Sequence, residues 1–307
     1  MAEEEQLDAG HSTLKQVLKY AAIAFLFLLV VMLTWGLLEP YTLDRREYTA
    51  VIPGLPQSWQ GQRIAVVGDF QIGMWMDNDQ TVRRAVRAIV REQPAATLIV
   101  GDFVYQAVHS DGDEIATVSA LLRPLRESGI PTFAILGNHD YGLSSRTAAP
   151  HHDLAATVER ALEEEGVRTL INEAAPLELE DGEPLYIVGL GSYYAGNDNP
   201  QQALAGVPSS AARIVMMHHP DTFAKLGPQT APLAVAGHTH GGQLRLPSLP
   251  DWSYLSFTRE DEVHVDGWIE DGYGEAGNAL YINRGIGMSL LPIRINAPPE
   301  LTFFTLQ

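Results

Sequence analysis

The chain has 307 residues, 46% of them hydrophobic, which is enough for one large domain or two small ones with a full core and argues against disorder. A formal net charge of −18 weighs against a nucleic-acid backbone or an anionic membrane surface as the main electrostatic partner, because both repel such a field at long range. No cysteine is present, so disulfides and thiolate metal sites are excluded, and any metal must be held by oxygen and nitrogen donors.

In chain order, the first element is the uncharged run from Tyr20 to Leu38, rich in Leu, Ile, Val, Phe and Ala. At roughly 1.5 Å per residue, a helix of this length just crosses a hydrocarbon core of about 30 Å, so the run predicts a single-pass membrane anchor over residues 20–38. A cleaved leader or a buried helix is the alternative, but no small-residue cleavage site follows the apolar core. Lys15 and Lys19 precede the run and Arg45 and Arg46 follow it, so the charges flanking it balance. The expected arrangement is a membrane protein with residues 1–19 as a short inner tail and the large domain extracytoplasmic. Residues 39–61, with Pro53, Gly54 and Pro56, read as a tether with room for one short strand, and residues 62–307 as the globular domain.

Ile64 to Val67 is a β-favouring run ending in Gly68-Asp69, and Val82, Val86, Ile89 and Val90 recur at helical spacing after it. Ala96 to Val100 repeats the strand pattern and ends in Gly101-Asp102. A second helical pattern spans Ile115 to Arg126, and the run from Thr132 to Leu136 ends in Gly137-Asn138-His139-Asp140. This is a β-α-β-α-β succession with a polar residue at the carboxyl end of each strand, where open α/β sheets place their ligands. His151 to Glu165 predicts a surface helix closed by a solvated acidic run. Strands are then expected at Leu185 to Gly189, Ala212 to Met217, Leu233 to Ala236, Ala279 to Asn283 and Leu301 to Leu306. Two of these end in Met217-His218-His219-Pro220-Asp221 and Ala236-Gly237-His238-Thr239-His240.

Five apolar strands therefore end in Asp69, Asp102, Asn138, His218 and the pair His238 and His240. Carboxylates, an amide oxygen and imidazoles suit a pair of first-row divalent or trivalent metals better than calcium or thiolate-bound zinc. Two cations about 3.5 to 4 Å apart can share a bridging carboxylate, hold a hydroxide and stabilise both oxygens of an in-line displacement at phosphorus. The predicted reaction is hydrolysis of a phosphate ester.

The order of these motifs resembles the calcineurin-like metallophosphoesterases over about residues 62 to 307. The version Gly237-His238-Thr239-His240-Gly241-Gly242-Gln243, with His218-His219-Pro220-Asp221, resembles the membrane-tethered YkuE/YaeI-like phosphodiesterase branch. The resemblance implies an α/β fold, a four-layer αββα sandwich of two mixed sheets, with two metal ions (Mn, Fe or Zn) at the strand ends. It implies that Asp102 bridges the metals, that Asn138, His218 and His238 complete one site, and that Asp69 and His240 serve the other. His139 would face the leaving-group oxygen as a general acid or charge stabiliser, with Asp140 orienting its ring. The family pattern His-x-Pro-Asp selects His218 as the ligand and leaves His219 to packing or to support from behind the ligands.

One departure stands out. The family usually carries Asp-x-His in its first motif, and here the sequence is Asp69-Phe70-Gln71, which replaces an imidazole by a weak neutral donor. Tyr105, three residues after Asp102, has the spacing of the Gly-Asp-x-x-Tyr of purple acid phosphatases, which makes it a candidate ligand for Fe³⁺ and Gln71 a second candidate. A Tyr that only packs beside the site is the alternative. His109, His151, His152 and His264 read as surface residues. Arg284 and Arg294 read as either phosphate-binding or structural cations, and the loops Ile72 to Met76 and Met288 to Leu291 as lipid contacts or buried loop anchors. The expected function is a membrane-anchored phosphoesterase acting on a phosphodiester, a phosphomonoester or a lipid-linked pyrophosphate, with no nucleic-acid partner. The competing expectation is a catalytically silent metal-binding scaffold of the same fold. A metalloprotease is disfavoured, since no His-Glu-x-x-His occurs.

Overall fold

The structure is a computed structural model that describes residues 2–105, 107, 112–179, 182–246, 249–253, 264–269 and 272–307. His109 lies outside the described residues. Helix α1 (Ala2–Leu38) runs into a 3₁₀ turn at Glu39–Tyr41, where Pro40 ends it. The stretch Thr13–Tyr41 is long and apolar enough to cross a membrane by length and composition. Its large apolar side chains from Leu14 to Leu33 are exposed on all sides, as a core helix would not leave them.

The domain is built on two six-stranded mixed sheets. The first has β1 (Asp44–Ala50), β14 (Glu300–Leu306), β2 (Arg63–Val67), β3 (Ala96–Ile99), β4 (Thr132–Ala134) and β5 (Val167–Thr169), in that spatial order. Strands β2 to β5 are parallel, β14 runs antiparallel to β2, and β1 runs parallel to β14. The second has β12 (Gly267–Trp268), β13 (Leu280–Ile282), β9 (Ala234–Ala236), β8 (Arg213–Met216), β7 (Leu185–Gly189) and β6 (Glu173–Leu177). Its central strands are parallel, and both edge strands pair antiparallel. A small hairpin of β10 (Arg245–Leu246) and β11 (Leu249–Ser253) stands apart.

The continuous apolar runs form strands because both faces of each sheet are covered. On β2, Ile64 and Val66 face the second sheet, whereas Ala65 and Val67 face the helices. On β8, Ile214 and Met216 point into the same middle layer, and Val215 points away to the opposite outer layer. Helices α2 (Asp79–Glu92), α3 (Asp113–Ser128) and α4 (His152–Glu164) cover the first sheet. The second is covered more thinly, by the short helix α5 (Pro200–Leu204) and the 3₁₀ segment Pro220–Lys225. This is the expected αββα sandwich.

Helix α2 ends at Gln93, whose backbone is left-handed, just before Pro94, and α3 ends at left-handed Gly129. One local expectation is corrected. Helix α4 buries Ala155, Val158 and Leu162 against the sheet. Glu165 is not solvated but buried, 3.2 Å from the Arg126 guanidinium. Within the stretch read as a tether with room for one short strand, β1 is a seven-residue strand that pairs at the edge of the first sheet.

Candidate metal centre

All five motifs lie at the carboxyl ends of central strands, where the two sheets abut. The chain must turn sharply there to aim side chains back over the strand ends, and the backbone shows it. Asp69, Gln71, Asp102, His238 and His240 all have positive φ, between 49° and 73°. Left-handed backbone costs a non-glycine residue about 1–2 kcal/mol, so its concentration at candidate ligands marks a site that the surrounding packing enforces. Gly101 is required for close approach. It has φ +91°, and a side chain there would meet the Gly137 nitrogen at 2.5 Å and the His218 ring at 2.9 Å.

Asp69, Asp102 and His218 are fully buried and place their donor atoms within 4.8 Å of one another. The Nδ1–H of His218 is spent on the Val100 carbonyl at 2.7 Å, which fixes the tautomer of the ring. Its Nε2 lies 3.2 Å from Asn138 Oδ1 and 3.2 Å from Asp102 Oδ2. A nitrogen facing two oxygen acceptors needs a proton or a cation among them. Burial opposes the His218 charge, but the Asp102 carboxylate outweighs it and lifts the imidazole to about 9. Burial likewise opposes the Asp102 charge, and His218 in turn holds that carboxyl below the ordinary range. Burial, aided by the nearby Asp102 charge, pushes Asp69 up to about 7. Burial, with the Arg294 guanidinium nearby, pushes His240 down to about 3, so it is a neutral imidazole with a lone pair to give. Its Nε2 is 3.9 Å from Asp69 Oδ1. Asn138 has its amide nitrogen fixed on the Leu143 carbonyl at 2.7 Å, which turns its oxygen toward the cluster.

The Gln71 amide donates to Asp102 Oδ2 at 2.8 Å, while its Oε1 is buried with no hydrogen-bond partner among the described residues. An orphaned buried oxygen beside two buried carboxylates is costly in a plain core and apt as a cation donor. Taken with the oxygen and imidazole donors, this fits the implied pair of first-row metals. His238 donates its backbone N–H to both Asp69 oxygens at 3.0 and 3.1 Å, and its half-buried ring lies 5.2 Å from that of His218.

The role expected for Asp140 is corrected. Its carboxylate does not touch the His139 ring. It accepts from the backbone N–H groups of Asp102 (2.9 Å), Gly137 (2.8 Å), Phe103 (2.8 Å) and Val104 (3.3 Å), and so ties two ligand-bearing loops together. The Tyr105 carbonyl orients His139 instead, accepting from Nδ1 at 2.6 Å, and the Tyr105 ring stacks on the imidazole at 5.2 Å. The His139 backbone N–H in turn donates to Asp102 Oδ1 at 2.8 Å.

Arg284 and Arg294 are structural cations. Arg284 pairs with Asp44 and Glu300. The buried Arg294 guanidinium donates to the carbonyls of Gly287, Ala297, Arg284, Gly285 and His240. Sequence reasoning missed the extent of His219. It joins His218 and His238 in a group of three imidazoles whose donor atoms lie within 4.8 Å, and its ring stacks on Tyr194 at 4.2 Å. The only signal was its adjacency to His218. In a strand, neighbours point to opposite faces, but both residues follow the end of β8.

The family model for calcineurin-like phosphoesterases matches residues 62–279. The chain is 31% identical to the phosphodiesterase YaeI of Escherichia coli over 72% of this chain and 74% of that protein. It is 26% identical to YkuE, an uncharacterised metallophosphoesterase of Bacillus subtilis, over 88% of this chain and 87% of that one. It is 25% identical to the UDP-2,3-diacylglucosamine pyrophosphatase LpxG of Chlamydia trachomatis, over 88% and 92%.

Proposed function

The chain belongs to the calcineurin-like phosphoesterase family, and we propose that it is a membrane-tethered, two-metal phosphoesterase with phosphodiesters and lipid-linked pyrophosphates as its substrate classes. The observation that carries this reading is the buried convergence of Asp69, Asp102, Asn138 and His218, in which His218 Nε2 lies 3.2 Å from both the Asn138 and the Asp102 oxygen. When metals bind, Asp102 would be shared between two donor groups, with Asn138, His218 and His238 on one side and Asp69, His240 and the Gln71 amide oxygen on the other. When bound, the ions supply Lewis acidity toward the phosphoryl oxygens and lower the pKa of the attacking water.

The chain's own residues do the rest. With Nδ1–H committed to the Tyr105 carbonyl, His139 Nε2 is the atom that can pass a proton to the departing oxygen. Asp140 keeps the backbone of Asp102 and that of Gly137 in register, so the Asp102 carboxylate and His139 hold their separation. The names of YaeI and LpxG support the diester and pyrophosphate classes. The exposed apolar α1 supports tethering, which raises the encounter rate with membrane-held substrates. Tyr105 would add a phenolate ligand for Fe³⁺ if its hydroxyl turned from the His139 stack. Its readout is a visible phenolate-to-iron absorption band that disappears in Tyr105→Phe.

The test is elemental analysis of the full-length protein in detergent, coupled to hydrolysis of bis-p-nitrophenyl phosphate and p-nitrophenyl phosphate. We expect near two metals per chain, preference for the diester, and loss of turnover in Asp102→Ala. One metal or none, with no turnover after Mn²⁺ or iron is added, would overturn the reading and leave a silent metal-binding scaffold.

A further inference from the structure

Two loops of the site carry large apolar side chains into solvent. Trp75 is 71% exposed, Leu290 69% and Leu291 52%. Neither loop is a loosely attached surface turn. The backbone N–H of Gly287 donates to the Asp69 carbonyl, and Gln243, beside the His238–His240 motif, bonds the backbone of Ser289 and of Leu291. Leu290 holds φ +61°, an uncommon conformation for a leucine, and does so while presenting its side chain outward. The Trp75 loop begins at Gln71, whose side chain lies on Asp102, and leads into α2.

The same two loops are fastened to the exit of α1. Arg294 N–H donates to the Gly36 carbonyl at 3.0 Å, and Gly36 packs on Ile293 and Ile295. The Glu39 carboxylate accepts from the backbone of Asn296 and of Ala297. On the other side, Thr81 Oγ1 of α2 donates to the Pro40 carbonyl at 3.1 Å, and the Arg84 guanidinium donates to that of Tyr41. Leu291 is only two residues from Ile293, so at most about 7 Å of chain separates it from the residue that packs on Gly36 near the end of the apolar helix. The buried Arg294 completes the link, since it also holds the carbonyls of Gly287 and His240.

We propose that this clamp sets the metal centre against the bilayer, with Trp75, Leu290 and Leu291 inserted into the lipid surface beside the exit of α1, so that the site takes amphiphilic phosphoesters from the membrane plane. The proposal rests on the tethered-phosphoesterase reading for its substrate and on α1 as an anchor for its location. The contact is apolar, because a chain of net charge −18 gains nothing from an anionic surface.

The absence of native cysteine makes the test direct. Single variants Trp75→Cys, Leu290→Cys, Leu28→Cys and Gln201→Cys of the full-length protein, spin-labelled in phosphatidylcholine vesicles, report depth as the ratio of collisions with oxygen to collisions with a water-soluble nickel chelate. Leu28 lies in α1, and Gln201 is exposed on α5. We expect ratios at 75 and 290 severalfold above that at 201 and approaching that at 28. Aqueous values at 75 and 290 with a lipid value at 28 would overturn the proposal and leave a domain standing off its anchor. Aqueous values at 28 as well would overturn it through the anchor. Protection from both collision partners would instead assign the loops to a second protein chain. None of these readings depends on turnover, so failure of the enzymatic reading is distinguishable from failure of this one.

Discussion

Lowering the pH should expel the metals, because protons compete for the same donors. The His218 Nε2 that would meet a metal competes with a proton bound up to about 9, and Asp69 with one bound up to about 7. Both folded-state values are raised, so both groups hold protons at low pH and must give them up when a cation binds. Between about pH 9 and pH 6 the fraction of deprotonated His218 falls on the order of 10²- to 10³-fold, and Asp69 adds roughly another tenfold, at about 1.36 kcal/mol per unit. The apparent affinity for Mn²⁺ or Zn²⁺ should therefore fall by about 10³–10⁴ over that interval. Titration calorimetry in two buffers of different ionisation enthalpy measures both the affinity and the protons released, and we expect one to two protons per chain at neutral pH. Binding that releases no proton and keeps its affinity down to about pH 6 would refute the argument, because His218 would then be neutral before the metal arrives.

Other substitutions separate chemistry from architecture. His139→Ala should lower kcat by about 10²–10⁴ while leaving metal content unchanged, since the backbone N–H that holds Asp102 survives the truncation. Asp140→Asn sets an amide NH₂ against backbone N–H donors and should cost about 2–3 kcal/mol in urea unfolding, with weaker metal binding following from the displaced Asp102 loop. Arg294→Met removes the donor from several buried carbonyls, and unfolding should become easier by about 3–5 kcal/mol. An Arg294→Met protein of unchanged stability would show those carbonyls to be satisfied by other partners.

The strand-end donors were legible because each follows a short apolar run that both faces of a sheet bury, and a polar residue at such an end has few structural uses. The sandwich followed from the same runs and from the order of the motifs. The roles within the site were much less legible. Asp140 was read as the partner of its neighbour His139, yet its four hydrogen bonds cross to a loop nearly forty positions earlier or close on its own turn, contacts that no local pattern encodes. Arg294 looked available for phosphate until the fold surrounded it with carbonyls.

Strand β1 shows the same limit. Its residues are largely polar, and its pairing with β14 is a matter of a backbone ladder in register from Asp44 with Glu300 to Ala50 with Leu306, segments far apart in the chain, so no apolar periodicity announces it. By itself the sequence determined which donors exist and that strands deliver them, because burial selects side chains by type and by period. Only the tertiary structure decided which atoms face one another, which tautomer His218 takes, and that the site loops are clamped to the exit of α1. Those are contacts between distant segments, set by packing geometry and not by composition.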